Sequence, residues 1–375
     1  MSTTSDVVIV GAGIVGAACA RALARDGIRV TILDAAIIGG GATAAGMGHV
    51  MLMDDSPAQL ALTRYSLQLW NELVAELPDD CEHNPCGTLW VAADEEELAA
   101  AREKEQTLCA HGIAAELLDA RQLAEAEPQL RPGLAGGLVV PADLVVYPPC
   151  VARWLIDQAR AQGAQLRLDC KVASLGGDHV ILADGTRLTA GATVNAAGTA
   201  AVHLTPGVPI RPRKGHLAIT DRYHGFLHHE VIELGYIKNA SGTASESVAF
   251  NVQPRQTGQL LIGSSRQYDV QSDEVETAIL RRMLCRALDY LPGLARCNVV
   301  RAWTGFRAST DDKLPLIGPW PKTVGMYLAT GHEGLGITTS LGTAELLADM
   351  LVGRPSKIPC EPYLPKRVLE GNHHA

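Results

Sequence analysis

An apolar strand, a glycine turn, a helix and a second strand ending in an acid open the chain: VVIVGAGIVGAACARALARDGIRVTILD, residues 7–34. Few folds accommodate such a run. Residues 7–10 form a β-branched segment suited to a buried strand. Gly11, Gly13 and Gly16 follow as GxGxxG: the first for a sharp turn, the second for backbone approach to a pyrophosphate, the third for close helix–strand packing. Asp26-Gly27 ends the helix, residues 28–33 read as the next strand, and Asp34 stands where a carboxylate accepts hydrogen bonds from a ribose diol. The combination predicts a dinucleotide site, and the acid argues against a ribose phosphate. An ordinary glycine turn, the alternative, requires none of the flanking elements.

At 375 residues the chain exceeds the size at which one core usually keeps growing, so two domains are expected. Residues 7–20 imitate a signal peptide, but no Lys or Arg precedes them and no cleavage site follows. No apolar run approaches the roughly 20 residues that span a bilayer. The expectation is a soluble, cytoplasmic protein with no transmembrane segment. Nine cysteines are scattered without a CxxC pair. Cys81 and Cys86, with His83 between them, resemble a fragment of a metal site, but free thiols in a reducing compartment are the preferred reading. His224, His228 and His229 lack carboxylates at ligand spacing, so no metal is expected. A net charge of −9 with dispersed bases excludes a nucleic-acid footprint.

Residues 37–51, IIGGGATAAGMGHVM, hold too many glycines for a regular element and read as backbone packed against something flat or phosphorylated. Helices are expected over 57–77, 94–111, 119–127 and 148–161. Strands are expected over 165–175, 179–183, 186–189 and 193–198, the second and third joined by a turn at Asp184-Gly185. From 210 to 305 short strands alternate around one helix near 273–290. The end reverts to strand, glycine turn and helix, MYLATGHEGLGITTSLGTAELLADMLVG. Nucleotide-type pieces therefore stand at the start, middle and end. A second helix N-terminus at Gly331–Gly336 suits a flavin, because reduction puts negative charge at the ring's pyrimidine end.

In order, GAGIVG with Asp34, ATAAGM at 42–47, NAAG at 195–198, GFRASTDDKLPLIG at 305–318 and GHEGLGIT at 331–338 resemble the D-amino acid oxidase (DAO) family of FAD enzymes. The likeness runs over essentially the whole chain and leans toward the branch of glycine oxidase and the sarcosine oxidase β chain. QTGQLLIGSSRQYD, residues 256–269, is similar to β subunits of proline and hydroxyproline dehydrogenases. The resemblance implies an α/β fold, α+β overall: a glutathione-reductase-like Rossmann FAD-binding domain (1–80, 146–212 and 306–375) interleaved with a mixed-sheet substrate-binding domain (81–145 and 213–305).

It also implies a site. Gly11, Ala12, Gly13, Ile14, Val15 and Gly16, with Leu33, Asp34 and Ala35, hold the ADP half, and Val172 contacts the adenine. Gly41, Ala42, Thr43, Ala45, Gly46, Met47 and Gly48 on one side and Gly331, His332, Glu333, Gly334, Leu335, Gly336, Ile337 and Thr338 on the other enclose the ring system. Ala196, Ala197, Gly198 and Gly305 complete the cofactor contacts. Arg307 falls at the family's carboxylate-binding arginine, suited to a bidentate clamp; the alternative is a salt bridge with Asp311 or Asp312. Tyr236 stands where relatives offer a hydroxyl to the same carboxylate, with core packing as the alternative. His49 is a candidate for the substrate face and His332 for the pyrimidine edge; a structural histidine is the alternative for each. Ala308, Ser309 and Thr310 replace the cysteine that tethers FAD in some relatives, so the FAD is expected to be non-covalent. Tyr147 falls near the histidine that tethers FMN in others, so a second flavin (FMN) where two subunits meet is not expected to be covalent. The implied activity is hydride transfer from the α-carbon of a small amino or imino acid of the glycine, sarcosine, proline or D-hydroxyproline kind. The alternatives are an electron-relay component of a hetero-oligomer and an FAD-dependent hydroxylase or demethylase. A homo-oligomer and a hetero-oligomer both stay open.

Overall fold

The computed structural model describes residues 5–235 and 246–370. Two eight-stranded sheets organise them. The first runs in spatial order β17 (Leu316–Pro319), β18 (Met326–Thr330), β11 (Arg187–Asn195), β1 (Ser5–Val10), β2 (Val30–Leu33) and β8 (Gln165–Arg167). From β18 to β8 the strands are parallel, and β17 adds an antiparallel edge. β9 (Val172–Leu175) and β10 (His179–Leu182) extend β11 as an antiparallel meander. The second sheet is mixed: β16 (Val299–Ser309), β12 (Arg211–Arg222), β15 (Gln259–Tyr268), β14 (Glu246–Pro254), β13 (Glu230–Glu233), β4 (Thr88–Ala92), β6 (Gly136–Val140) and β5 (Glu116–Asp119). A small ladder of β3 (His49–Val50) with β7 (Leu144–Val145) lies beside them.

Helices cover both sheets for reasons written in their ends. α1 (Ile14–Arg25) buries Ala17, Ala20 and Ala24, small side chains that let it lie close to its neighbours. α2 (Gly41–Ala45) is short. α3 (Pro57–Leu73) starts at Ser56, whose hydroxyl accepts the Gln59 N–H, with proline at its first position. Asp94 caps α4 (Glu95–Ala110), and Asp119 with Gln122 forms a capping box on α5 (Ala120–Ala126). α6 (Pro148–Ala161) and α7 (Ala201–Leu204) complete the first half. α8 (Thr277–Tyr290) turns Ile279, Met283, Ala287 and Tyr290 onto the second sheet, where the Tyr290 ring stacks on Phe250 with centroids 4.8 Å apart. α9 (Gly336–Val352) runs beside α1, linked by Arg25–Glu345 at 2.8 Å, and stops at Gly353 in the left-handed region.

Three expectations change. Residues 165–175 are two strands, because Asp169 takes φ = +54° and Asp34 brackets the turn, donating its N–H to Arg167 and accepting one from Cys170. Residues 186–189 and the start of 193–198 are one strand, β11, whose first part pairs with β10 and whose second lies between β1 and β18. The glycine-rich stretch after Asp34 does hold regular structure, α2 and β3, since Thr43 and Val50 turn inward. Among the described residues no helix is long and apolar enough to cross a membrane.

Candidate active site

One cavity of about 800 Å³ runs between the two sheets, toward the upper end of the range for cofactor pockets. Its walls start at the glycine turn. Gly11 takes φ = +114°, and a Cβ there would lie 2.8 Å from the Ala196 carbonyl carbon and nearer still to its oxygen; one on Gly16 would meet the Gly11 carbonyl. The turn is thus a cradle that side chains would fill. The carboxylate of Asp34 accepts the N–H of Ala12 at 2.7 Å and of Ala36 at 2.8 Å, and Thr43 Oγ1 accepts that of Ile14 at 3.0 Å. No side chain caps α1 at Gly13, so its positive end faces the cavity. A diphosphate fits this end.

Further along, the 41–48 segment and the 331–338 turn face each other across the cavity. Thr338 ties them: its hydroxyl accepts the Met51 N–H at 3.2 Å and donates to the His49 carbonyl at 3.1 Å. His332 Nε2 lies 2.9 Å from Thr343 Oγ1, and burial pushes the ring's pKa down to about 3, so the imidazole is neutral.

The second sheet supplies the floor. Strand alternation turns Trp90, Asn251, Ser264, Arg266, Arg213, Gly215 and Arg307 to one face. Arg213 and Arg307 are cross-strand partners on β12 and β16. Arg213 donates to Glu333 at 2.6 Å. Burial pushes the Glu333 carboxyl up, but the guanidiniums of Arg266, Arg307 and Arg213 together hold it below the ordinary range. Arg307 passes over Gly215 to β15, where Nη1 donates to the Ser265 carbonyl at 3.2 Å. Asp312, its alternative partner by sequence, is taken by Arg367 at 2.6 Å.

His49 lines the same cavity. Its Nε2 sits 2.8 Å from the fully buried Glu230 and 3.1 Å from Thr88 Oγ1. Asp143 lies buried nearby, and burial pushes its pKa up to about 6, against the pull of His49 and Thr88.

All the residues expected at the cofactor line this cavity except Ala12 and Gly16, which sit behind the turn, and Arg307 and His49 line it too. Tyr236 lies outside the described residues. Sequence reasoning missed Arg213, Arg266, Glu230 and Asp143. Alternation along RPRKGHLAIT, with Arg213, Gly215 and Leu217 on one face, was the one local signal for the first. The histidines 224, 228 and 229 stand apart from the cavity; His229 lies 2.9 Å from buried Glu127, which also accepts the backbone N–H groups of His228 and His229.

Residues 6–350 match the family model for FAD dependent oxidoreductases, DAO. Glycine oxidase of Pseudomonas aeruginosa is 28% identical over 96% of this chain and 98% of that protein. The B-subunit of opine oxidase from Rhizobium meliloti is 26% identical over 89% and 90%. The crystal structure of glycine oxidase from Geobacillus kaustophilus superposes with a TM-score of 0.87 at 26% identity, covering 97% of this chain and 99% of that one.

Proposed function

The chain belongs to the DAO family of FAD-dependent oxidoreductases, and from that premise we propose that it oxidises the C–N bond of a small amino or imino acid of the glycine, sarcosine, proline or D-hydroxyproline kind. The enzyme is of the glycine oxidase and amino acid dehydrogenase type. FAD, when bound, accepts the hydride that leaves the substrate α-carbon.

This chain's residues do the rest by position and charge. Asp34 and the α1 terminus hold the adenosine and diphosphate end, and α9 turns its positive end to the ring. Arg307 clamps the substrate carboxylate, which fixes the hydrogen that faces the acceptor. The guanidiniums around it disfavour a further positive charge, so the substrate amine binds neutral and ready to give up a hydride. The product is an imino acid. With Ala308, Ser309 and Thr310 beside the clamp there is no thiol there to tether FAD, and the cofactor is held non-covalently.

The observation that carries this reading is Arg307, led by Gly215 across β12 into the cavity between the glycine turns. Anaerobic mixing of the yellow holoenzyme with glycine, sarcosine, proline and hydroxyproline isomers and D-amino acids tests it. Bleaching by at least one, lost in Arg307→Met, is expected; no bleaching by any sinks the reading. Likeness to one of the subunits of opine oxidase favours a second reading, in which the chain passes its electrons on inside a hetero-oligomer. Turnover of the isolated chain with an artificial dye would then be far below that of the assembly.

A further inference from the structure

The ladder of the cavity floor breaks beneath Arg307. β15 pairs with β12 at Gln267–Lys214 and again at Ile262–Ala218, so Gly263, Ser264, Ser265 and Arg266 stand opposite Gly215, His216 and Leu217. On its other side β15 pairs with β14 at Ser265–Val248 and Gly263–Asn251, so Ser264 alone faces Ala249 and Phe250. The centre of β15 is therefore out of register with both neighbours, a bulge of the kind that re-aims groups beside active sites. Ser264 and Arg266 reach the cavity from it, and the Ser265 carbonyl accepts Arg307 Nη1 at 3.2 Å.

What holds the bulge lies behind the floor. Arg213, Gly215 and Leu217 line the cavity, whereas His216 between them points away from it and is fully buried. Its backbone N–H donates to Ser265 Oγ at 2.9 Å, where a regular ladder would offer a carbonyl. Its ring repeats the tie. Nε2 accepts the Glu276 N–H at 3.0 Å, so the ring proton sits on Nδ1, which donates to the same Ser265 Oγ at 2.9 Å. Glu276, at the start of α8, is in turn pinned by Lys214 Nζ at 2.9 Å and Gln267 Nε2 at 3.1 Å. Burial, then Lys214, draws the His216 ring below the ordinary histidine range against the pull of Glu276 and Glu246, in keeping with a neutral ring. We propose that His216 is a positioning residue for the oxidation: through Ser265 it holds the β15 bulge whose carbonyl fixes the Arg307 guanidinium where the substrate carboxylate docks. This rests on the reading of Arg307 as the clamp for that carboxylate.

The test is binding of pyrrole-2-carboxylate, an acid with no α-hydrogen to give up, to the oxidised holoenzyme. It is read as a shift of the flavin absorbance, beside anaerobic reduction by the most active amine of the panel. His216→Leu removes both ring bonds and should weaken binding about tenfold, the order expected for one buried hydrogen bond. Ser265→Ala should cost about as much, and the two together little more, because they break one tie. His216→Asn places an amide N–H near the position of Nδ1 and should restore most of the binding. His216→Gln places an amide oxygen near the position of Nε2, keeps the tie to Glu276, and should not. Parental binding in His216→Leu overturns the proposal and leaves the clamp standing, as do additive losses from the leucine and alanine changes. Should the leucine variant not fold, the amide pair decides, and rescue by Gln equal to or better than that by Asn overturns the route through Ser265. Arg307→Met that binds the acid as tightly as the parent overturns the clamp and the proposal together. So does a parent whose flavin responds neither to the acid nor to any amine.

Discussion

Replacing Gly215 by alanine puts a methyl group where the Arg307 side chain crosses β12. The new Cβ would lie 3.0 Å from Cζ and Nη2 and closer still to Nη1. Ordinary contact needs 3.4–4 Å, so the guanidinium has to retreat by on the order of 1 Å. The Gly215 backbone is not in the left-handed region, so alanine costs it nothing there, and the far end of a long side chain gives way cheaply. Stability should change by less than about 1 kcal/mol. Function is another matter, because a misplacement of about 1 Å in a positioning group costs roughly 10²-fold. That is about 2.7 kcal/mol of transition-state binding. Stopped-flow reduction of the bound flavin under anaerobic conditions measures it, with flavin content and Tm as controls. A variant that folds, retains FAD and reduces its flavin within threefold of the parent rate would refute the claim that Arg307 acts from its position over Gly215.

Asp34→Ala removes the acceptor of the Ala12 and Ala36 N–H groups; at roughly 2 kcal/mol for charge-assisted bonds, FAD should bind about 30-fold more weakly, read from the flavin fluorescence released on dilution. Asp143 carries a folded pKa of about 6 against an ordinary 3.8, so the folded state holds the proton longer than the unfolded one. Stability is then greatest below about pH 4 for this group and declines as pH rises through 6; Asp143→Asn should flatten that limb of a Tm–pH profile, by an amount on the order of 2–3 kcal/mol. Tyr290→Ala removes a buried ring stacked on Phe250 and should cost about 3–5 kcal/mol, seen as a lower midpoint in urea with cofactor affinity little changed.

The glycine turns and their strands were legible because their requirements are local. A φ of +114° at Gly11 and the contact between Gly16 and the Gly11 carbonyl belong to neighbours in the chain, and such constraints leave a spacing to read. Arg307 was legible through a longer motif. Arg213 and Arg266 were not, since they meet Arg307 only when β12 pairs with β15 and β16, and no spacing along the chain records strand order. The same holds for His49, whose partners come from a parallel pairing of β13 with β4 that sets Glu230 opposite Thr88. β11 was read as two pieces because its two halves serve different neighbours, which breaks any single alternation.

The packing of α1 beside α9 has a consequence in time as well as in space. Val15 and Gly336 are neighbours at the helix starts, yet about 320 residues of chain separate them. At roughly 5–20 residues per second, the opening turn waits on the order of tens of seconds on the ribosome before its companion exists. On the reading that both turns hold the cofactor, ribosomes stalled before residue 336 should carry the first glycine turn without its companion and retain no FAD.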